Sequence, residues 1–282
     1  MDFITQSGTA VGRVGQGTWY LGEHPDTFAR ECAALRAGIE AGMTLIDTAE
    51  MYGEGAAEHL VGQAIRGYDR ERLYLVSKVY PFNAGRHGIF QSCENSLRRM
   101  GTDYLDLYLL HWRGSVPLAE TVECMEELKA KGRIRNWGVS NLDKADMEEL
   151  FEVSGGTACL TDQVLYHLGS RGVEYDLLPW LQQRGMPMMA YCPLAQGGGL
   201  RRGLLGSRAV QAAARAHDAS PCQVLLAFVL SRPGVVPIPR SSRAEHTLDN
   251  AAAQNLTLTS GELDMLDAAF PAPQRPTPLD IV

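Results

Sequence analysis

Short apolar runs alternate with longer amphipathic stretches along most of the chain. Apolar runs of about four to eight residues indicate buried strands, whereas apolar residues at about every third or fourth position indicate one face of a helix. The runs predict strands at residues 14–19, 44–48, 73–79, 104–111, 134–140, 160–166, 187–192 and 235–238. The amphipathic stretches predict helices near residues 27–41, 56–66, 88–100, 118–130, 144–151, 175–183 and 243–253. Strand and helix are therefore expected to alternate along the chain.

Eight strands, each followed by helical sequence, predict an α/β fold in which a parallel sheet closes into a (β/α)8 barrel, also called a TIM barrel. Such barrels commonly form one domain at this length, so we expect residues 1–282 to be a single domain. Residues 3–11 are expected to form a hairpin at the barrel base, and an extra helix is expected at the C-terminus. An open doubly wound sheet is the alternative, but the glycines from Gly12 to Gly17 have the wrong spacing for its phosphate-binding turn.

The composition narrows the class of protein. A formal net charge of -7 argues against a nucleic acid or an anionic membrane as partner, because binding a polyanion needs a basic surface. The six cysteines are scattered, without a CxxC pair or a Cys/His cluster at metal-ligand spacing, so we expect reduced thiols and no metal. The N-terminus lacks the pattern of a signal peptide, and no apolar run is long enough to span a membrane. A soluble cytoplasmic protein is therefore expected.

Four polar residues mark the predicted strand ends. Asp47, Lys78 and His111 lie at the ends of three successive strands, and Tyr52 follows Asp47 in the adjoining loop. In a barrel these ends share the face that carries the active site, so the four side chains should converge. A phenol titrates near pH ~10, and Lys78, with Asp47 as counter-ion, could lower that pKa. Each residue alone has an ordinary interpretation as a solvated charge, a core histidine or a helix cap. Together they favour a catalytic site.

Several motifs extend this pattern along the whole chain. GQGTW, LIDTAEMYG, LVSKV, LYLLHW, WGVSN, TDQVLYH, AYCPLA and VPIPRSS match, in order and spacing, those of aldo-keto reductases. The chain resembles most the small bacterial members that reduce methylglyoxal and related aldehydes. The resemblance implies reduction of a carbonyl by hydride from NADPH, with Tyr52 as general acid, Lys78 paired with Asp47 to lower the phenol's pKa, and His111 orienting the substrate oxygen. It implies no metal.

The resemblance also implies a cofactor site. Ser140, Asn141 and Gln163 would hold the nicotinamide carboxamide, and Tyr191 would stack on the nicotinamide ring. The full set of implied cofactor residues is Gly17, Thr18, Trp19, Asp47, Ser140, Asn141, Gln163, Tyr191, Pro193, Leu194, Ile238, Arg240, Ser241, His246, Asp249 and Asn250.

The adenosine end of the cofactor site departs from the family pattern. Many family members have Lys-Ser where this chain has Arg240-Ser241, and an arginine where it has His246. Arg240 can bind a 2′-phosphate through two hydrogen bonds, whereas histidine is a weaker, pH-dependent partner. NADPH is therefore expected, with tolerance of NADH.

The substrate side is expected to be apolar and open. Trp19, Tyr20, Met51, Phe82 and Trp112 are predicted to line a pocket for a small carbonyl compound. The chain ends soon after the last predicted helix, which leaves little material for a long C-terminal loop and favours a broad range of aldehydes. A monomer or weak homo-oligomer is expected.

Two other functions remain open at this point. Aldo-keto-reductase-like β subunits of potassium channels use the same barrel as a cofactor-binding, redox-sensing partner, but they usually carry a long N-terminal extension that this chain does not show. A dehydrogenase working towards alcohol oxidation would use the same four residues.

Overall fold

The computed structural model describes residues 11–282, so the hairpin expected at residues 3–11 lies, but for its last residue, outside the described residues. Eight strands form one sheet in chain order, and each pairs in parallel with the next. They are β1 (Gln16–Gly17), β2 (Leu45–Asp47), β3 (Tyr74–Val79), β4 (Leu105–Leu110), β5 (Ile134–Ser140), β6 (Asp162–Leu165), β7 (Met188–Tyr191) and β8 (Val235–Pro237).

Backbone hydrogen bonds join the first strand to the last. The Gly15 N–H donates to the Pro237 carbonyl at 2.9 Å, and the Gly17 N–H donates to the Pro239 carbonyl at 3.1 Å. Glycine is required here, since a Cβ at Gly17 would lie 2.8 Å from the Ile238 carbonyl oxygen. The prediction of a parallel α/β barrel is thereby confirmed in its general form.

Eleven helices lie in the part of the chain that the structure describes. They are α1 (Pro25–Glu40), α2 (Ala56–Ala64), α3 (Ile89–Met100), α4 (Leu118–Ala130), α5 (Lys144–Glu152), α6 (Leu177–Gln183), α7 (Gly198–Gly206), α8 (Arg208–Ala216), α9 (Pro221–Leu230), α10 (Ala244–Ala252) and α11 (Ser260–Ala269). Local sequence sets their ends: Ser220 and Gln223 form a capping box that begins α9, and Gly101, in the left-handed region, ends α3. No helix among residues 11–282 combines the length and apolarity needed to cross a membrane.

The first strand is shorter than predicted. Residues 14–19 were expected to be extended, but only Gln16–Gly17 pair as a strand. The chain turns directly afterwards, because the Leu21 N–H donates to the Thr18 carbonyl at 2.9 Å and Tyr20 adopts φ +63°. This turn brings two aromatic side chains, Trp19 and Tyr20, over the mouth of the barrel.

Apolar side chains fill the barrel and the layer between barrel and helices. The interior is packed with residues such as Leu45, Val76, Leu107, Met189 and Val236, all buried. Successive strand residues point to opposite faces of a sheet, so a polar residue at the carboxyl end of a strand can face the interior above this core. The fold therefore places strand-end side chains around one opening.

Candidate active site

The four predicted catalytic side chains meet at the carboxyl ends of the strands. Asp47 is the last residue of β2, Lys78 is the penultimate residue of β3, and His111 directly follows β4. Tyr52 begins a short 3-10 turn, Tyr52–Gly55, which leads into α2. The structure thus brings together residues that are far apart in sequence.

Lys78 joins this group by hydrogen bonds. Its Nζ lies 2.7 Å from Asp47 Oδ2, 2.9 Å from the Thr48 carbonyl oxygen and 3.1 Å from Tyr52 Oη. The lysine side chain is completely buried, so these three acceptors satisfy the ammonium. Because the ammonium donates to the phenol oxygen, the phenol keeps its own hydrogen for another acceptor.

Burial controls the protonation of the phenol. It raises the pKa of Tyr52 well above its ordinary value, and the negative charge of Asp47 raises it further. Burial also lowers the pKa of Lys78, although its contact with Asp47 acts in the opposite direction. The net direction is opposite to the lowered pKa that was expected, because burial, and after it the charge of Asp47, disfavours the phenolate.

His111 is held as a neutral imidazole. The side chain is buried, and burial together with the charge of Lys78 lowers its pKa well below the ordinary value. Its Nδ1 has no hydrogen-bond partner among residues 11–282. The ring lies edge-on to Tyr52 with 5.6 Å between centroids, and 4.9 Å from the Trp112 ring. A neutral imidazole can donate one hydrogen bond without adding charge to the site.

A cavity of about 290 Å³ opens above these residues. Its size is close to the lower end of typical ligand pockets, about 300 to 1,000 Å³. Most residues predicted for the site line it: Gly17, Thr18, Trp19, Tyr20, Asp47, Met51, Tyr52, His111, Trp112, Ser140, Asn141, Gln163, Tyr191, Pro193, Leu194, Ile238 and Arg240. Lys78 lies beneath the cavity, behind Tyr52 and Asp47.

Side-chain amides form one wall of the cavity. Gln163 Nε2 donates to Asp47 Oδ1 at 2.8 Å, and the Tyr191 hydroxyl donates to Asn141 Oδ1 at 2.9 Å. Ser140 Oγ donates to the Gln163 carbonyl at 2.8 Å. These bonds connect the ends of β5, β6 and β7 to the Asp47–Lys78 pair. The wall is therefore polar and pre-ordered, opposite the aromatic side formed by Trp19 and Trp112.

The structure does not bring five of the predicted residues to the cavity. Phe82 is 77% exposed and packs on Tyr80. Asp249 accepts hydrogen bonds from Ser220 and Gln223, at 2.8 Å each, at the beginning of α9. The remaining three residues lie on α10 or just before it. The Ser241 hydroxyl forms hydrogen bonds with the Arg243 backbone. His246 is exposed beside Glu245, and Asn250 is buried.

Six further residues line the cavity without having been predicted: Cys192, Ala195, Gln196, Arg201, Pro239 and Val282. Arg201 lies on α7, shortly after three consecutive glycines, Gly197 to Gly199, and this run of glycines was the available signal in the sequence. Nothing in the sequence pointed to Val282. The C-terminal segment that ends at Val282 contacts the loop after β6, where the Ser170 hydroxyl donates a hydrogen bond to Asp280. The last residue of the chain thus forms part of the lining.

No group of three or more His, Cys, Asp or Glu side chains within residues 11–282 is arranged to hold a metal ion. All six cysteines are free thiols.

Comparison with known proteins gives a consistent result. The sequence pattern described as the Aldo/keto reductase family matches residues 13–270. The chain is 60% identical over 269 residues to methylglyoxal reductase YeaE of Escherichia coli strain K12, covering 95% of this chain and 94% of that protein.

Two crystal structures of an aldo/keto reductase from Klebsiella pneumoniae are also similar. The structure with NADP and acetate has a TM-score of 0.97 and 55% identity, and the one with NADPH has a TM-score of 0.96 and 56% identity. Each covers 100% of this chain and 99% of the other. The resemblance inferred from the motifs is confirmed, and the chain belongs to the aldo/keto reductase family.

Proposed function

We propose that the protein reduces small aldehydes and ketones to alcohols with NADPH, and that 2-oxoaldehydes such as methylglyoxal are its preferred substrates. The hydrogen-bonded series Asp47–Lys78–Tyr52, which ends at a cavity beside the neutral His111, carries this proposal. The similarity to a methylglyoxal reductase and to structures with bound NADP or NADPH supports the choice of substrate and cofactor.

The chemistry of the cavity fits a dinucleotide phosphate. Arg201 and Arg240 both line it, and within residues 11–282 neither forms an ion pair with a carboxylate. Two guanidinium groups without acidic partners suit phosphate groups. At the other end, the amide groups of Asn141 and Gln163 can hold a carboxamide, and the Tyr191 ring can cover an aromatic face. When bound, NADPH would supply the hydride.

Arg240 is the residue best placed to select NADPH over NADH. Ser241 lies beside it in the sequence, whereas His246 is exposed and lies 3.7 Å from Glu245. Only one of the two expected cationic contacts to a 2′-phosphate is therefore near the cavity. Tolerance of NADH follows from this arrangement, as part of the proposal.

Tyr52 delivers the proton to the carbonyl oxygen. Its raised pKa keeps the phenol protonated at neutral pH, as a general acid requires. Lys78, which already donates to Tyr52 Oη, stabilises the phenolate once the proton has left. His111 donates a hydrogen bond to the same substrate oxygen and orients it. Trp19 and Trp112 exclude water on the apolar side.

The test compares wild type with Tyr52→Phe for consumption of NADPH with methylglyoxal, and repeats both assays with NADH. We expect Tyr52→Phe to lose about 100- to 10,000-fold in kcat, because it removes the general acid, and to bind NADPH about as tightly as wild type by fluorescence titration. Tyr175→Phe, at an exposed position outside the cavity, is the matched control and should behave as wild type.

Other outcomes would replace the proposal. Tight NADPH binding without reduction of methylglyoxal or a panel of simple aldehydes would favour a cofactor-binding, redox-sensing partner. Efficient oxidation of alcohols with NADP, at cofactor ratios that prevent reduction, would favour a dehydrogenase direction.

We further propose a cytoplasmic role in removing reactive aldehydes, which the six free thiols support because such thiols persist in reducing compartments. The finer features expected of the fold belong to this proposal too. They are one domain over residues 1–282, a hairpin at residues 3–11 below the barrel, and α11 as the family's extra helix.

A further inference from the structure

A second set of buried polar groups lies behind the proposed catalytic strand end. Ser77 and Lys78 are neighbours on β3 and therefore point to opposite faces of the sheet. Lys78 faces the inside of the barrel and Asp47, whereas Ser77 faces the helices, where its Oγ donates to Glu58 Oε1 at 2.5 Å. Ser77 and Glu58 are both completely buried. The end of β3 is thus held from both sides.

Glu58 is also paired with an arginine that contacts the turn carrying Tyr52. Arg99 Nε, from α3, donates to Glu58 Oε2 at 2.5 Å. The Arg99 side chain passes across Gly55, where an added Cβ would lie 2.6 Å from Arg99 Cδ and Nε. Gly55, with φ +93°, is the last residue of the turn that begins at Tyr52. Neither Glu58 nor Arg99 lines the cavity, so neither is placed to touch a ligand.

We propose that Glu58 and Arg99 are positioning residues for the reduction: the series Arg99–Glu58–Ser77 holds the turn of Tyr52 and the strand end of Lys78 in one fixed relation. The 3.1 Å contact between Lys78 Nζ and Tyr52 Oη is the distance that this series maintains. The inference rests on the function proposed above, since positioning matters only if these two groups take part in proton transfer.

The charge of Glu58 adds an electrostatic effect. Burial lowers the pKa of Lys78, while the carboxylates of Asp47 and Glu58 raise it. Removing the Glu58 charge should therefore let Lys78 lose its proton at a lower pH. The alkaline limb of the kcat/KM profile would then move down, because a neutral amine stabilises the Tyr52 phenolate less well.

The other end of β3 and β4 offers a matched control. Asp106 is also buried, is also paired with an arginine, Arg70, at 2.7 Å, and also bonds β3, through the Leu75 N–H at 2.9 Å. It lies near the beginning of β4, at the end of the barrel opposite the cavity. Asp106→Asn should therefore disturb the fold as much as Glu58→Gln does, without reaching Tyr52 or Lys78.

The experiment measures kcat, KM, the pH profile and thermal unfolding for Glu58→Gln, Arg99→Lys, Ser77→Ala and Asp106→Asn. We expect Glu58→Gln to lower kcat about tenfold, with KM for the aldehyde within about threefold and the alkaline limb about one pH unit lower. Arg99→Lys keeps the charge but changes the contact with Gly55, so kcat should fall with little movement of the alkaline limb. Asp106→Asn should keep kcat within about twofold.

A crystal structure of the cofactor-free Glu58→Gln variant gives a readout that does not depend on activity. We expect the separation of Tyr52 Oη and Lys78 Nζ to exceed about 3.5 Å, beyond hydrogen-bond length, and to be unchanged in Asp106→Asn. Should Glu58→Gln fail to fold, Ser77→Ala takes its place, with an expected fall in kcat of about threefold.

The positioning role is overturned if Glu58→Gln and Asp106→Asn lose thermal stability alike while both keep the wild-type kcat, pH profile and Tyr52–Lys78 distance. A wild type that reduces no carbonyl compound would instead overturn the proposed function. The crystal structures would still decide whether the series holds Tyr52 and Lys78 together.

Discussion

Each end of the barrel contains a buried aspartate that is paired with a cation and accepts a hydrogen bond from β3. At the base, Asp106 accepts hydrogen bonds from Arg70 and from the Leu75 N–H, and Arg135 lies 3.6 Å away. Both guanidinium groups lie on the Tyr104 ring, at 4.0 and 4.1 Å from its centroid, and reach solvent. The charges at this end are paired with one another, and the two guanidinium groups are partly exposed to solvent.

At the carboxyl end, the cation is completely buried and the neighbouring groups face a cavity. Lys78 has no access to solvent, and it shares Asp47 with Gln163. The Tyr52 hydroxyl still has its hydrogen to donate, because its oxygen accepts the hydrogen bond from Lys78. Among residues 11–282, Nδ1 of His111 has no hydrogen-bond partner. A buried ion pair alone therefore does not identify a site. Unused donors and acceptors that face a cavity do, because a ligand in the cavity can bind to them.

The largest effect is expected when the cation is removed at each end in turn. Lys78→Met should lower kcat/KM with methylglyoxal about 1,000-fold, because the phenolate formed at Tyr52 loses its stabilising charge. Arg70→Met removes the nearer of the two cations at the base and should leave kcat/KM within about threefold. The measurement is the initial rate of NADPH consumption by each purified variant. NADPH binding shows whether each variant is folded.

Equal losses of activity in the two variants would contradict this view of the barrel ends. They would mean that the Lys78 variant is inactive through general disturbance of the sheet. Thermal unfolding of both proteins is the control, since each leaves a buried aspartate without one of its cations.

The second prediction concerns stability at the base. Asp106→Asn should lower the free energy of unfolding by about 2 kcal/mol, because it replaces the charged partner of Arg70 with an amide. Activity should stay within about twofold, since Asp106 lies far along β4 from His111. Urea denaturation at neutral pH measures the loss. A large fall in kcat with little loss of stability would show that the two ends are coupled.

Sequence alone predicted that the proposed catalytic residues come together, because each of those on a strand lies at or near the end of a largely apolar run. LIDTAEMYG, LVSKV and LYLLHW each place a polar residue at the point where an apolar strand ends, and barrel topology then brings Asp47, Lys78 and His111 together. Backbone geometry fixes these positions, so little depends on details that a sequence pattern does not contain.

Residues on loops and helices were less predictable. Asp249, on α10, accepts hydrogen bonds from Ser220 and Gln223, the capping residues of α9, and this contact between two helices has no local signal in the sequence. Val282 reaches the cavity through a long-range contact between Ser170 and Asp280, which has no local signal. The direction of the Tyr52 pKa was misjudged for a related reason, since burial, the largest cause of its rise, is a property of the whole fold.

A third buried aspartate sharpens the comparison because it has no cation. Asp162, the first residue of β6, is completely buried and forms no ion pair among the described residues. Burial raises its pKa well above the ordinary value, although backbone N–H groups of Leu142 and Gln163 oppose the shift. Its folded-state pKa therefore exceeds its unfolded-state pKa, which is about 3.9.

The sign of the pH effect follows from that order of pKa values. The stability contributed by Asp162 is fully present below the unfolded-state pKa and is lost as pH rises towards the folded-state pKa. Asp162→Asn removes this loss, so its free energy of unfolding relative to wild type should be higher at pH 8 than at pH 5. Denaturation at both pH values measures it, with Asp264→Asn on the exposed side of α11 as control. A difference that is the same at both pH values would contradict the shift.

The smallest expected effect is a difference in KM between variants of two exposed aromatic residues, Tyr20 and Phe82. Tyr20 lines the cavity and stacks on Trp19 with 4.5 Å between ring centroids, whereas Phe82 is 77% exposed and does not line it. Tyr20→Ala should raise KM for methylglyoxal about threefold, because the substrate loses an apolar contact. Phe82→Ala should change KM less than about twofold. If Phe82→Ala raised KM as much as Tyr20→Ala, the loop after β3 would have to move onto the bound substrate, and the apolar side of the site would extend beyond Trp19 and Trp112.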